Sequence, residues 1–109
     1  MLLVIMPFKN EQDRIKLSLA DLYYWLGQEI KDFEILCIND HSEDNTRKII
    51  EQLNLEKVRV INNRFDCGKG SALKTAVIFS GMMYALKDDD LILFIDGDGQ
   101  FDNSDIKMF

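Results

Sequence analysis

Four short apolar runs, separated by longer amphipathic stretches, set the rhythm of this 109-residue chain. Residues 2–6, 34–38, 57–61 and 91–95 are rich in Leu, Ile, Val and Phe, and they are near-continuous rather than alternating. That pattern suits strands covered on both faces, as in parallel sheets. Pro7 is expected to end the first strand. Between the first two runs, Ile15, Leu19, Leu22 and Leu26 recur at helical spacing, and Tyr23 and Trp25 broaden the stripe. Asp44 is placed to cap a second helix reaching about Leu53, with Ile49, Ile50 and Leu53 facing inward. A third helix is predicted over residues 71–86, where Leu73, Ala76, Val77, Ser80 and Tyr84 share a face, and Asp88-Asp89-Asp90 closes it as a solvated acidic turn. Strand–helix alternation of this kind predicts right-handed crossovers. The fold class is therefore α/β: a doubly wound, mainly parallel sheet of about four strands with helices on both faces.

Composition narrows the function classes. A hydrophobic share of 47% beside 29% charged residues is that of an ordinary globular domain. The net charge of −6 excludes the basic surface that nucleic-acid backbones require. A nucleoside diphosphate stays compatible with this charge only if a metal ion bridges the two anions. The first six residues are apolar, but Pro7 stops them and no basic leader precedes them, so they are not read as a signal peptide. No run approaches the ~20 apolar residues of a membrane helix, and the expected location is cytoplasmic. Cys37 and Cys67 have no CxxC partner and are read as reduced thiols. Residues 1–109 read as one domain, and as a partial one: Asn103-Ser104-Asp105 opens what resembles another helix just before Phe109. The strand at 91–95 then leaves an open apolar edge, where self-association is expected.

Every predicted strand empties into a polar loop, and in a parallel sheet these loops share one end. In Pro7-Phe8-Lys9-Asn10-Glu11, Phe8 offers a ring to stack on, and Asn10 and Glu11 offer hydrogen bonds to a ligand. Equally, Asn10 can cap the following helix while Glu11 favours its positive end. In Asn39-Asp40-His41-Ser42-Glu43-Asp44, Asp40 is placed to accept a hydrogen bond from a base N–H; Ser42 and Asp44 shape the turn, and His41 is read as a loop residue rather than a catalytic one. The third loop, 62–71, carries Gly68-Lys69-Gly70 before a helix, where backbone N–H groups can approach phosphate oxygens. It is not a P-loop, which would need glycine where Asn63 stands and Ser or Thr where Gly70 stands. A response-regulator-like site fails as well, because the positions that would hold its acids are Phe8-Lys9-Asn10 and Asn62-Asn63. The fourth loop, Asp96-Gly97-Asp98-Gly99-Gln100, sets two carboxylates and an amide oxygen at alternating positions. Such a set suits one hard divalent cation; on local grounds an acidic turn remains the other reading.

Taken in order, P-F-K-N-E, I-N-D-H-S-E-D-N-T, G-K-G-S-A-L and D-G-D-G-Q-F resemble the N-terminal half of family 2 glycosyltransferases, and within them the dolichol-phosphate-mannose synthase-like branch. The likeness runs through essentially the whole chain. It implies a GT-A, Rossmann-like nucleotide-binding fold and an inverting sugar transfer from a UDP- or GDP-linked nucleotide-diphospho-sugar, with a lipid phosphate or glycan as acceptor. It implies that Pro7, Phe8 and Glu11 lie around the base, that Asp40 bonds its ring N–H, and that Lys69 lies near the nucleotide. Asp96 and Asp98 would be the DxD pair holding Mg2+ or Mn2+ against the diphosphate, and Gln100 a further ligand. Asn39 departs from the family's usual pair of acids after the second strand. The acceptor pocket and catalytic base are expected outside these residues, so no catalytic residue is assigned. The alternatives are a non-catalytic nucleotide-binding or assembly module and, third, a nucleotidyltransferase with a related sheet.

Overall fold

The computed structural model describes residues 1–63 and 89–95. In chain order these form β1 (Leu2–Phe8), α1 (Ile15–Glu29), β2 (Phe33–Asn39), α2 (Thr46–Leu53), β3 (Val58–Asn62) and β4 (Leu91–Phe94). The strands make one sheet in the order β3-β2-β1-β4. Every neighbouring pair is parallel. The third predicted helix, Cys67 and the Gly68-Lys69-Gly70 loop lie outside the described residues.

Parity along β1 explains why its apolar run is unbroken. Leu2, Val4, Met6 and Phe8 face one side, where they join Ile15, Leu19, Leu22 and Leu26 of α1, Phe33, Ile35 and Cys37 of β2, and Ile50 of α2. Leu3 and Ile5 face the other side with Leu36 and Ile38 of β2. Both sets are buried, so neither face of the two central strands can be polar. Tyr23, Trp25, Ile49 and Leu53 flank the first set as half-buried residues. The Tyr23 ring meets Phe33 edge-on, with centroids 5.6 Å apart. Burial pushes the Cys37 thiol up to about 12, so it stays a neutral apolar filler. At its far end α2 closes on Asn54, whose φ of 49° is the left-handed turn that asparagine tolerates.

One expectation needs correction. Pro7 does not end β1, which runs on through it to Phe8 and keeps register with Ile38 and Asn39 of β2. The reason lies in which side of the strand each amide faces. Leu2 donates to Asp32 and Phe8 accepts from Asp40, so even-numbered residues of β1 bond toward β2. Met1 accepts from Leu91 and Ile5 accepts from Ile95, so odd-numbered ones bond toward β4. Pro7 is odd-numbered; its missing N–H is lost from the β4 side, and the β2 ladder continues undisturbed. The β1–β4 register accordingly runs from Leu2↔Leu91 only as far as Ile5↔Phe94.

β1 therefore has β2 and then β3 on one side, and β4 on the other. The direction of winding reverses between β1 and β4. In open α/β sheets, that reversal opens a crevice at the strand C-termini where ligands bind.

Candidate functional site

Three described segments meet at the C-terminal edge of the sheet: the β1–α1 connection, the β2–α2 connection, and the end of β3. The first two are tied by reciprocal side-chain-to-backbone hydrogen bonds. Asn10 N–H donates to Ser42 Oγ at 3.0 Å, and Glu43 N–H returns to Asn10 Oδ1 at 2.8 Å. Gln12 N–H donates to Asp44 Oδ2 at 3.2 Å, and Asn45 N–H returns to Gln12 Oε1 at 3.1 Å. Between these pairs, Glu11 N–H donates to Thr46 Oγ1 at 2.9 Å. The Thr46 hydroxyl in turn donates to Asp44 Oδ1, which also accepts the Thr46 N–H at 3.0 Å. Thr46 is fully buried, so its hydroxyl needs both partners.

Asp44 is the hub of this latch. Burial pushes its carboxyl up, but the hydrogen bonds from the Thr46 hydroxyl and from the N–H groups of Thr46 and Gln12 outweigh burial and hold it below the usual carboxylate range. The N-cap of α2 is Asn45 rather than Asp44, and its side chain makes no cap bond; Asp44, one residue earlier, nevertheless accepts the N–H of Thr46, the first helical residue. Asn10 does not cap α1, which begins only at Ile15; its side-chain oxygen is used across the gap on Glu43. Asn10 and His41 are the left-handed corners of their loops, with φ of 51° and 59°. The expected loop role of His41 thus has a conformational basis.

Glu11 opens α1 by its carbonyl, which accepts from Arg14 and Ile15. Its carboxylate lies 2.7 Å from the Arg14 guanidinium at Oε2, off the hydrogen-bonding direction, so the contact is an ion pair and that buried oxygen carries no hydrogen bond. Phe8 is buried in the core, where its ring packs beneath the site. Its carbonyl reaches the edge and accepts the Asp40 N–H at 2.9 Å.

Asp40 is half-exposed and is held from β3: Asn63 Nδ2 donates to its Oδ1 at 2.9 Å. Asn63 is itself buried, with its N–H on the Asn39 carbonyl at 2.8 Å. Asn39 uses both ends of its amide internally, accepting Ser42 N–H at 3.0 Å and donating to Asn62 Oδ1 at 3.1 Å. The amide where an acid was expected is thus a cross-strand brace between β2 and β3. Asn63 and Thr46 were not singled out from sequence, because their partners lie 23 and 35 residues away.

Of the expected site residues, Pro7, Phe8, Glu11 and Asp40 are brought to one edge by adjacent strands. Lys69, Asp96, Asp98 and Gln100 lie outside the described residues. Ile95, the residue before Asp96, is anchored by its N–H to Ile5 O at 3.0 Å. Among the described residues no cluster of His, Cys, Asp and Glu could hold a metal ion, and no helix is long and apolar enough to cross a membrane.

A parallel α/β sheet whose polar loops gather at a topological switch point is the architecture of a nucleotide-binding domain. The chain belongs to glycosyl transferase family 2, whose profile it matches over residues 3–109. It is 33% identical over 95 residues to the dolichyl-phosphate beta-glucosyltransferase of Dictyostelium discoideum, covering 79% of this chain and 29% of that protein. Glucosyl-3-phosphoglycerate synthase from Mycobacterium tuberculosis, solved with Mn2+, UDP and glucosyl-3-phosphoglycerate, superposes with a TM-score of 0.65 at 24% identity, over 89% of this chain and 33% of that one. A mannosyltransferase from Pyrobaculum calidifontis, solved with GDP-Man and Mn2+, superposes with a TM-score of 0.68 at 19% identity, over 89% and 27% respectively. The fold is GT-A, as the motifs implied. The chain spans about a third or less of the length of each of these proteins.

Proposed function

We propose that these residues form the donor-binding part of an inverting glycosyltransferase that takes a UDP- or GDP-linked sugar. The observation that carries this reading is the switch point: β1 ends in the latched loops on one flank, while β4 on the other flank runs directly into Asp96. Asp40 is the group for a base N–H. Glu11 and Pro7 line the same edge, and Lys69, which follows β3 in the sequence, would serve the phosphates. The donor set Asp96, Asp98 and Gln100 consists of hard oxygen ligands, which fits Mg2+ or Mn2+ rather than a softer metal. Those residues would hold the ion, whose chemistry is to neutralise charge on the departing diphosphate. The chain's own residues bind and orient the nucleotide, so that the anomeric carbon is presented to an acceptor from the opposite side.

The naming of the Dictyostelium relative supports a lipid phosphate as acceptor. A phosphate monoester is largely ionised near neutral pH, so its attacking oxygen needs less help from a base than a hydroxyl would. That eases the lack of an assignable base among these residues. Titration calorimetry of UDP and GDP, with and without Mn2+, tests the reading: metal-dependent heat for at least one is expected, and none for either would refute it. Exposed Ile92 and Phe94 on β4 favour a second reading, an assembly module joined through that edge; a monomer by sedimentation at high concentration would count against it.

A further inference from the structure

We propose that the outer face of α1 is an interface on which a second copy of this chain packs, with the two helices antiparallel about a two-fold axis. Leu17 and Tyr24 are the most exposed large apolar side chains among the described residues, 71% and 70% open to solvent. They lie two helical turns apart, on the side of α1 away from the buried stripe of Ile15, Leu19, Leu22 and Leu26. Ala20 and Gly27 are exposed on the same side. Along the helix the order is Leu17, Ala20, Tyr24, Gly27, large and small in turn at spacings of three, four and three residues. That is the pattern of a seam along which one helix meets another.

Gly27 points to a close neighbour. A glycine weakens the helix that holds it, and nothing within this chain requires one, because a Cβ added there would meet no atom within 4 Å. On an open face the missing side chain leaves a hollow that a knob from a facing helix can fill. In an antiparallel pair centred on the level of Leu22, Leu17 of each copy falls over the partner's Gly27, and Tyr24 over the partner's Ala20. The contacts are reciprocal, as a two-fold axis demands.

The same register sets Asp13, just before α1, against the partner's Lys31, just after it. Both residues are exposed, and the axis repeats this pair of opposite charges at the other end. A parallel pair would set Asp13 against Asp13 and Lys31 against Lys31, with like ends of the helix dipoles side by side. Charge therefore selects the antiparallel arrangement. Because α1 begins at the edge that carries the latched loops, such a pair points its two candidate sites in opposite directions and leaves both open.

Sedimentation equilibrium of the full chain over a range of concentrations tests the interface. One helix pair makes a small and reversible contact, so the average mass of the unaltered chain is expected to rise with concentration toward twice the monomer's. Tyr24→Lys should weaken association by about tenfold or more. Gly27→Leu should do the same by filling the hollow, while stability of the single chain in urea does not fall, since the position is open and leucine favours the helix. Asp13→Lys and Lys31→Asp should each weaken association by about threefold, and the two together should restore it. A chain that stays monomeric at every concentration would overturn the interface, as would association that survives both Tyr24→Lys and Gly27→Leu. Association lost in Phe94→Lys but kept in those two variants would assign it to the β4 edge and overturn it as well. A double charge swap that fails to restore association would overturn the antiparallel register.

Discussion

The two flanks of β1 are built on opposite rules. Toward β2, hydrogen bonding continues past the end of the strand: Phe8 holds Asp40, Asn39 braces Asn62, and the loops beyond are laced from Asn10 to Thr46. Toward β4, the ladder among the described residues runs to the Ile95 N–H on Ile5, and Pro7 has no N–H to donate on that side. One flank is preorganised by its hydrogen bonds, and on the other Pro7 withholds a donor. A base needs a fixed polar edge, whereas a diphosphate with its cation needs room between strands. The contrast teaches that a single central strand can treat its two flanks differently by the parity of its residues.

The largest expected effects come from the open flank. Asp96→Ala or Asp98→Ala should abolish metal-dependent nucleotide binding, a loss of about 100-fold or more if an ion is held there, since ligation and charge neutralisation are lost together. Calorimetry with and without Mn2+ reads this directly, and retained metal dependence in both variants would remove the DxD assignment. On the latched flank, Thr46→Val keeps the shape but strips the acceptor of Glu11 N–H and a donor to Asp44. It should lower unfolding stability by about 1–3 kcal/mol in urea titration. A loss under about 0.5 kcal/mol would mean that the two loops are not held as one unit.

The Asp44 hub adds a pH signature. Its carboxyl is held below the usual range in the folded chain, so its contribution is present above the unfolded carboxylate pKa and is lost as pH falls through the depressed folded value. The stability gap between the unaltered chain and Asp44→Asn should therefore be full at neutral pH and shrink below about pH 4. A gap independent of pH would contradict the charge-assisted latch. Smaller again, Pro7→Ala restores an N–H on the β4 side. Stability should change by only about 1 kcal/mol or less. The new backbone amide in that variant should nevertheless be protected from hydrogen exchange as the ladder lengthens, and metal-dependent binding should weaken by a few fold. The smallest effect belongs to a pair outside both flanks: Arg47→Ala, which breaks the exposed ion pair with Glu51, should cost about 0.5 kcal/mol or less.

Much of the scaffold was legible along the chain, for a simple reason. Burial on both faces imposes continuous apolar runs, so β1 to β4 were predicted to within about two residues, and helical spacing marked Ile15, Leu19, Leu22 and Leu26 as the inner stripe of α1. Pro7 shows where such reading stops. Proline's lost donor is visible in any sequence, but the side of the strand that loses it depends on register with β2 and β4, which only the folded sheet defines. Capping by Asn10, one of the two readings its position left open, fails for the same kind of reason: local capping and a bond to Glu43, 33 residues on, call for the same residue type. Asn63 and Thr46 left no signal at all, because a buried Asn or Thr acquires meaning only from the partner opposite it. The departure at Asn39 was visible as a missing acid, and its use as a brace was not.

The central claim is that both flanks of β1 serve one bound nucleotide. Mn2+ broadens nearby amide resonances in solution, so its effect on the NMR spectrum with and without UDP or GDP tests that claim directly. With nucleotide, broadening should concentrate on Phe8, Lys9, Asp40 and Ile95, and spare the opposite end of the sheet at Leu2, Phe33 and Val58. Broadening that ignores the nucleotide, or that spreads to the opposite end of the strands, would contradict a shared donor site.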